Sequence, residues 1–388
     1  MGSGGSSSAR PAAGVAANGK PPKGRTGNVT NTDTDIGRRG PTQVVRQLYA
    51  PFGAPAVYHG TVRPKPNFDA SKEAENLKVA MQGAGTQDNL LIDVLTSCDR
   101  SQRQLIAQAY QKKYGKDLLK DLKAEISGDY ESVVAKLMES AAGYDAWLLH
   151  ETMDGLGTDD DALIEILSFR SREELQAIQA EYYNRYQRHL AEDIKGDTSG
   201  NFEKLCLKLM EGCRDAPHVL VPSFADADAK TLFQEGEDRI GTWDDLFIDV
   251  FTSRSWDQLS AVCDSYKRLY GKTMEEALEN EFSGDILFGL KKLVAFARDR
   301  AEYFATKLYS SMSGLGTDDE QLQRLVISHC QTDMLEIKEA FKNKFGKTLG
   351  NMIRDDCSDG EFEGFSWNFQ IIQARFKLPG PTCPSYCV

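Results

Sequence analysis

From about residue 60 onward, apolar residues recur every three to four positions. Leu90, Leu91, Val94 and Leu95 make one such run, and Leu163, Ile164, Ile166 and Leu167 make another. That spacing lines one face of a helix and predicts amphipathic helices gathered on a common core. Residues 171–187 and 253–272 read the same way, and strand-like alternation is scarce, so the fold class predicted is all-α. Residues 1–59 break the pattern. They are rich in Gly, Ser, Ala and Pro, and such a stretch buries too little apolar surface to offset its ordering entropy. A disordered N-terminal tail is expected there. Within it, Val44, Val45, Leu48, Tyr49 and Phe52 form a small apolar cluster suited to docking.

The body repeats itself four times. Met81-Gln-Gly-Ala-Gly-Thr86, Met153-Asp-Gly-Leu-Gly-Thr158, Arg239-Ile-Gly-Thr242 and Met312-Ser-Gly-Leu-Gly-Thr317 are copies of one turn. Their second glycines, Gly85, Gly157, Gly241 and Gly316, are spaced by 72, 84 and 75 residues. A period near seventy residues holds about five short helices per copy. The expected segments are 60–140, 141–212, 213–300 (with a linker) and 301–388 (with a C-terminal tail), behind the tail 1–59. Each Gly-Thr pair precedes acids and then an apolar run, so the threonine is expected to cap the next helix. Thr317 with Glu320 reads as a capping box.

Counting forward 40 residues from each second glycine reaches Glu125, Asp197, Glu281 and Asp356, all carboxylates. Acids are 58 of 388 residues, so four hits at one chosen offset arise by chance on the order of once in two thousand. Each carboxylate is followed by a short polar turn, such as Ser127-Gly128 or Thr198-Ser199-Gly200, and is expected on a loop between helices. A single copy of this arrangement is explained by helix caps alone. Four copies with one fixed offset point to a cation site. Glycines let successive carbonyls face outward from one turn. Calcium takes roughly six to eight oxygen ligands, and loop carbonyls with a bidentate carboxylate suit it. Three carbonyls and one such carboxylate leave the shell one to three oxygens short, to be filled by water or a lipid phosphate.

Composition narrows the function. The net charge is −12, while residues 1–59 carry seven basic and two acidic residues, so the acidic excess lies in the body. That balance argues against nucleic acid as a partner. No stretch approaches the length of a membrane span, and the N-terminus lacks the apolar core of a secretory signal. Eight cysteines without a CxxC pair indicate neither zinc nor a thioredoxin-like motif, and a reduced, cytoplasmic setting is the default. There is no HExxH, Walker loop or GxSxG, so the chain reads as a binding protein and not an enzyme.

At these residues the sequence resembles the annexin family. The similarity covers about residues 60–388 and includes Gly60, Thr61 and Val62 with Asn67, Phe68 and Asp69, the glycine turns, the 40-residue offset, and the turn from Gly196 to Gly200. The resemblance implies four five-helix repeats in a curved disc, with calcium loops on a convex face that binds acidic phospholipid, typically phosphatidylserine. Carried over, the implied ligands are Met81, Gly83, Gly85 and Glu125; Met153, Gly155, Gly157 and Asp197; and Met312, Gly314, Gly316 and Asp356. In the third repeat Arg239 stands where the first glycine is usual. The longer third loop of relatives implies Gly236, Arg239, Gly241 and Glu281 there. The fourth turn departs as well, with an extra residue before Gly360. Trp243 follows Thr242 where relatives carry an acid. It is expected either in the headgroup layer or packed at a helix start.

Two functions follow. One is calcium-dependent binding to acidic membranes, peripheral and reversible, with self-association on the membrane and non-classical export left open. The other is a scaffold that links membrane to cytoskeletal or other protein partners through residues 1–59.

Overall fold

The computed structural model describes residues 59–356, apart from 83–85, 156, 217–218, 237–243 and 315 and the side chains of 235 and 356. The expectations placed on the tail, on Trp243 and on the turn after Asp356 therefore lie outside the described residues. All the described residues fall in one compact unit, Leu48–Val388.

Among the described residues the secondary structure is helical throughout, as the apolar spacing predicts. The first repeat runs α1 (Ala70–Ala80), α2 (Asp88–Ser97), α3 (Arg100–Tyr114), α4 (Leu118–Glu125) and α5 (Gly128–Met138). The second runs α6 (Ala141–Met153), α7 (Asp160–Ser168), α8 (Arg172–Tyr186), α9 (Leu190–Asp197) and α10 (Gly200–Met210). The third holds α11 (Pro222–Glu235), α12 (Asp244–Ser253), α13 (Trp256–Tyr270), α14 (Met274–Glu281) and the first half of α15 (Gly284–Met312). Non-helical Asp299 breaks α15, and its second half opens the fourth repeat with α16 (Asp319–His329), α17 (Met334–Phe345) and α18 (Leu349–Asp356).

The same packing recurs in each copy. The first and third helices lie against one another as α1 on α3, α6 on α8, α11 on α13 and α15 on α17. Repeats join through α10 on α12, α5 on α16, and α15 on both α7 and α10. Gly289 sits in the last contact. A Cβ there would come within 2.7 Å of the Leu205 side chain and 3.3 Å of that of Phe202, so glycine lets the two helices approach without displacing either. Leu, Ile, Val, Phe and Tyr from every described helix fill the core, α18 contributing Leu349 and Ile353.

Polar groups inside this core are tied at repeated positions. Tyr110 donates to Asp121 at 2.7 Å, and Tyr182 to Asp193 at 2.6 Å, fixing the third helix to the fourth in two successive repeats. Arg170 forms a two-pronged bond with Asp145 at 2.6 and 2.9 Å, and Arg254 does so with Asp228 at the same distances. Fork-to-fork geometry of this kind is the strongest form of the ion pair. These bonds fix where the chain reverses between the second and third helices.

Arg103 is the largest buried cation, 1% exposed. It donates to the carbonyls of Leu95 (2.9 Å), Cys98 (2.6 Å) and Leu137 (2.8 Å), at the ends of α2 and α5. Burial pushes its guanidinium down to about 10, which still leaves it charged at neutral pH. Replacing Arg103 by Met strands those carbonyls. Urea denaturation of Arg103→Met is expected to show a loss of about 3 kcal/mol, and an unchanged midpoint would remove Arg103 from the stabilising contacts.

Candidate metal centre

Each glycine turn begins where a first helix ends. Met153 is the last residue of α6 and Met312 of α15, while Met81 caps α1. All three side chains are buried, which anchors the start of the turn and leaves the main chain to project. The turn then closes on itself by one backbone bond: Gln87 N–H to Ala80 O, Asp159 N–H to Thr152 O, and Asp318 N–H to Ser311 O, each 2.8 Å. Within the closed loops Gly155 and Gly157 have φ of 124° and 92°, and Gly314 and Gly316 have 153° and 88°. A Cβ on any of them would meet no atom within 4 Å. Backbone conformation, not lack of room, therefore demands glycine here.

The carboxylates expected on loops are instead the final residues of helices. Glu125 closes α4, Asp197 closes α9, Glu281 closes α14 and Asp356 closes α18. The chain turns extended directly after the first three, at Ile126, Thr198 and Phe282. A serine and a positive-φ glycine then start the next helix in each case. A helix end is a firmer mount than a loop, since the preceding turn fixes the Cα.

Thr86, Thr158 and Thr317 do not cap. The N-cap of α7 is Asp159, whose carboxylate accepts from Ala162 N–H at 3.0 Å, and that of α16 is Asp318, which accepts from Gln321 N–H at 3.0 Å. The expected Thr317–Glu320 box is replaced by this Asp318 cap. Aspartate one residue later outcompetes the hydroxyl because an ionised acceptor at the helix start gains from the dipole as well. The hydroxyls are thereby released for another use. Thr86 donates to the carbonyl of Glu125 at 3.3 Å and Thr158 to that of Asp197 at 3.1 Å, each across 39 residues. These bonds set the glycine loop beside the helix end that carries the acid.

In repeat two all four expected ligands are described: Met153, Gly155 and Gly157 on the loop, Asp197 alongside, and the glycines and acid exposed. In repeat one, Met81 and Glu125 are described, and Gly83 and Gly85 lie outside. In repeat three, Gly236 caps α11 and Glu281 ends α14, with Arg239 and Gly241 outside. Repeat four shows Met312, Gly314 and Gly316, while Asp356 is described in backbone only. No group of three His, Cys, Asp or Glu side chains able to hold a metal gathers among the described residues. The donor set is main-chain oxygen plus one acid, which fits a hard cation and not a thiophilic one.

Behind loop two lies a second polar feature. Asp161 and Glu165 of α7 meet Lys292 and Lys307 of α15 and Arg324 of α16, with Tyr303 donating to Glu165 at 2.7 Å. A cavity of about 480 Å³ opens beside them, bounded also by Lys136 and Trp147. Its charges are largely paired with one another, so the cluster joins repeats two, three and four by ionic contact.

A family description, Annexin, matches residues 72–137, 144–209, 227–293 and 303–365. Annexin A7 of Homo sapiens is 40% identical over 302 residues, covering 78% of this chain and 62% of that protein. The chain thus spans about three fifths of this longer relative. Annexin A4 of Homo sapiens is 40% identical over 299 residues, covering 77% of this chain and 94% of that one. Among solved structures, calcium-bound annexin (Sm)1 superposes with a TM-score of 0.74 at 30% identity, covering 82% of this chain and 94% of its own.

One acid beside loop two carries an electrostatic load. Asp160, at the start of α7, is raised to about 6 by burial, then by Asp285 and Asp159. A carboxyl raised above its unfolded value opposes folding once both states ionise, so the penalty is full above pH 6 and vanishes below about pH 4. Asp160→Asn is expected to raise the melting temperature at pH 7.5 and to leave it unchanged at pH 3.5. An equal shift at both values would show that Asp160 ionisation is not its cause.

Proposed function

The chain belongs to the annexin family, and from that premise we propose that it binds acidic phospholipid membranes in a calcium-dependent manner. The observation that carries the reading is the Thr158 hydroxyl bond to the Asp197 carbonyl, 3.1 Å long. It brings an exposed carbonyl loop and an acid 40 residues further on to one place. Calcium at such a site would supply a charge that a headgroup phosphate oxygen can share.

The remaining work falls to the chain. Buried Met153 fixes the loop start, Gly155 and Gly157 turn the carbonyls outward, and Asp197 presents two oxygens from a helix end. Three carbonyls and a bidentate acid supply five oxygens, and a calcium shell takes roughly six to eight. The protein leaves one side of the shell open to solvent, and a phosphate from a lipid such as phosphatidylserine fits there. Linkage then requires that calcium and membrane raise one another's affinity by the same factor. The sets Met81, Gly83, Gly85 and Glu125, Gly236, Arg239, Gly241 and Glu281, and Met312, Gly314, Gly316 and Asp356 are proposed in the same role.

The association is proposed to be peripheral. Among the described residues no helix is long and apolar enough to cross a membrane. Apolar helix faces hold the fold, while the loops carry the activity, so we assign a lipid-binding and not a catalytic role. The calcium-bound state of annexin (Sm)1 supports the choice of ion.

Vesicle co-sedimentation tests this. Full-length protein should pellet with phosphatidylserine vesicles in calcium, stay soluble in chelator, and ignore phosphatidylcholine vesicles. Asp197→Asn should raise the calcium needed for half-maximal pelleting by about 3- to 10-fold, the equivalent of one lost charged ligand shared among several sites. Sedimentation that survives removal of all four carboxylates would end the assignment.

A further inference from the structure

Thr86 and Thr158 have a hydroxyl that neither helix capping nor loop closure uses. Capping of α7 belongs to Asp159, and α2 starts at Gln87 with no side-chain cap bond. The backbone closes both loops through Gln87 and Asp159. What remains is the bond to the carbonyl of Glu125 or Asp197, found independently in two repeats at the same separation of 39 residues.

The accepting carbonyl is significant. It belongs to the residue that bears the acid and lies at a helix C-terminus, where the last carbonyls lack partners within the helix. The next amide, Ile126 or Thr198, already bonds back to Leu122 or Ile194. The acid-bearing residue is therefore gripped on one side by its own helix and on the other by the threonine. With that carbonyl engaged, the Cα is pinned between two bonds and the carboxylate swings about a fixed base. Meanwhile α9 packs on α6, α8 and α10, and α4 on α3 and α5. These contacts place the helix as a body, and the threonine sets its last residue against the loop. Both threonines are half-buried, while the bonds themselves lie at the exposed surface.

We infer that Thr86 and Thr158 are positioning residues: their hydroxyls fix the acid relative to the glycine loop and so prepare the cation site before the ion arrives. The inference rests on the reading of these loops as calcium sites. Preorganisation of this kind changes affinity without changing the ligand count. Removal of one hydroxyl–carbonyl bond corresponds to about a 3- to 10-fold loss of affinity. Serine keeps the donor and should keep most of the affinity. Valine keeps the β-branched shape and loses the donor.

The test uses the full chain with Glu125→Gln, Glu281→Gln and Asp356→Asn, which leaves repeat two as the sole complete site. Calcium binding by equilibrium dialysis is compared for this parent, Thr158→Val, Thr158→Ser and Asp197→Asn. Chelator-form melting and amide exchange at Gly155 and Gly157 are measured on each. The expected result is a 3- to 10-fold weaker calcium affinity for Thr158→Val, a change under 2-fold for Thr158→Ser, faster exchange at the two glycines in chelator, and unaltered melting. If Thr158→Val lowers the melting temperature but not the affinity, the hydroxyl is merely structural and the inference is overturned. If Asp197→Asn weakens binding while Thr158→Val does not, the inference falls and the site stands. If Asp197→Asn also has no effect, the site reading itself falls, and with it the inference. Should Thr158→Val fail to fold, Thr86→Val in a chain that retains only Glu125 asks the same question of repeat one.

Discussion

A helix ends with backbone carbonyls that nothing inside it can satisfy, and this protein of short helices has many such ends. How each end is answered organises the molecule. Arg103 answers α2 and α5 with three donated bonds from one buried guanidinium. Arg214 answers α12 through the carbonyls of Phe251 (3.0 Å) and Arg254 (2.5 Å), its face 3.6 Å from the ring centre of Trp256. Threonine hydroxyls answer the ends of α4 and α9. At the first, second and fourth glycine loops one amide closes the loop, Gln87, Asp159 or Asp318 bonding back to Ala80, Thr152 or Ser311.

This division separates stability from activity. Buried ends are met by side-chain donors fixed in the core, whose loss leaves polar groups without water. Exposed ends are met by backbone and hydroxyl bonds at the surface, each of modest worth, so the loops can be adjusted without cost to the core. The first, second and fourth loops all close with the same 2.8 Å bond although their middle residues differ. Closure is thus a property of the main chain, which tolerates alanine in one copy and leucine in the others.

The helices and the first, second and fourth turns were legible in the sequence because both rest on local rules. Apolar spacing sets the buried face, and a glycine pair marks a backbone that side chains would strain. The 40-residue offset made the acids visible without any structure. The role of threonine was not legible, since Thr before an acidic helix start satisfies the capping rule equally well. The competing signal was present all the same: Asp159 and Asp318 stand one residue later and are better caps. The acids were expected on loops because the polar turn follows them directly, yet a helix can run to the last residue before such a turn. Arg103 left no trace in the sequence. One arginine on an otherwise ordinary helix face gives no sign that three distant carbonyls converge on it.

The buried ions at the junction of repeats two, three and four raise a question of energy. Two acids on α7 meet three cations from α15 and α16, with Glu165 only 4% and Arg324 11% exposed at their side chains. Desolvation makes such clusters poor sources of stability compared with apolar packing. Their value lies in what they forbid. Sliding α7 by one turn against α15 would leave Glu165 without Arg324 and Tyr303 and bury an unpaired charge, which costs several kcal/mol. Repeats of one design can pair in more than one register through apolar faces alone, because those faces are alike. Arg324 stands where the other copies carry Asp93, Glu165 and Asp249, so this cation with its Glu165 partner distinguishes the correct neighbours. Charge pairing in the interior thus ties α7 to α15 and α16, while the second and fourth loops are shaped by their own glycines.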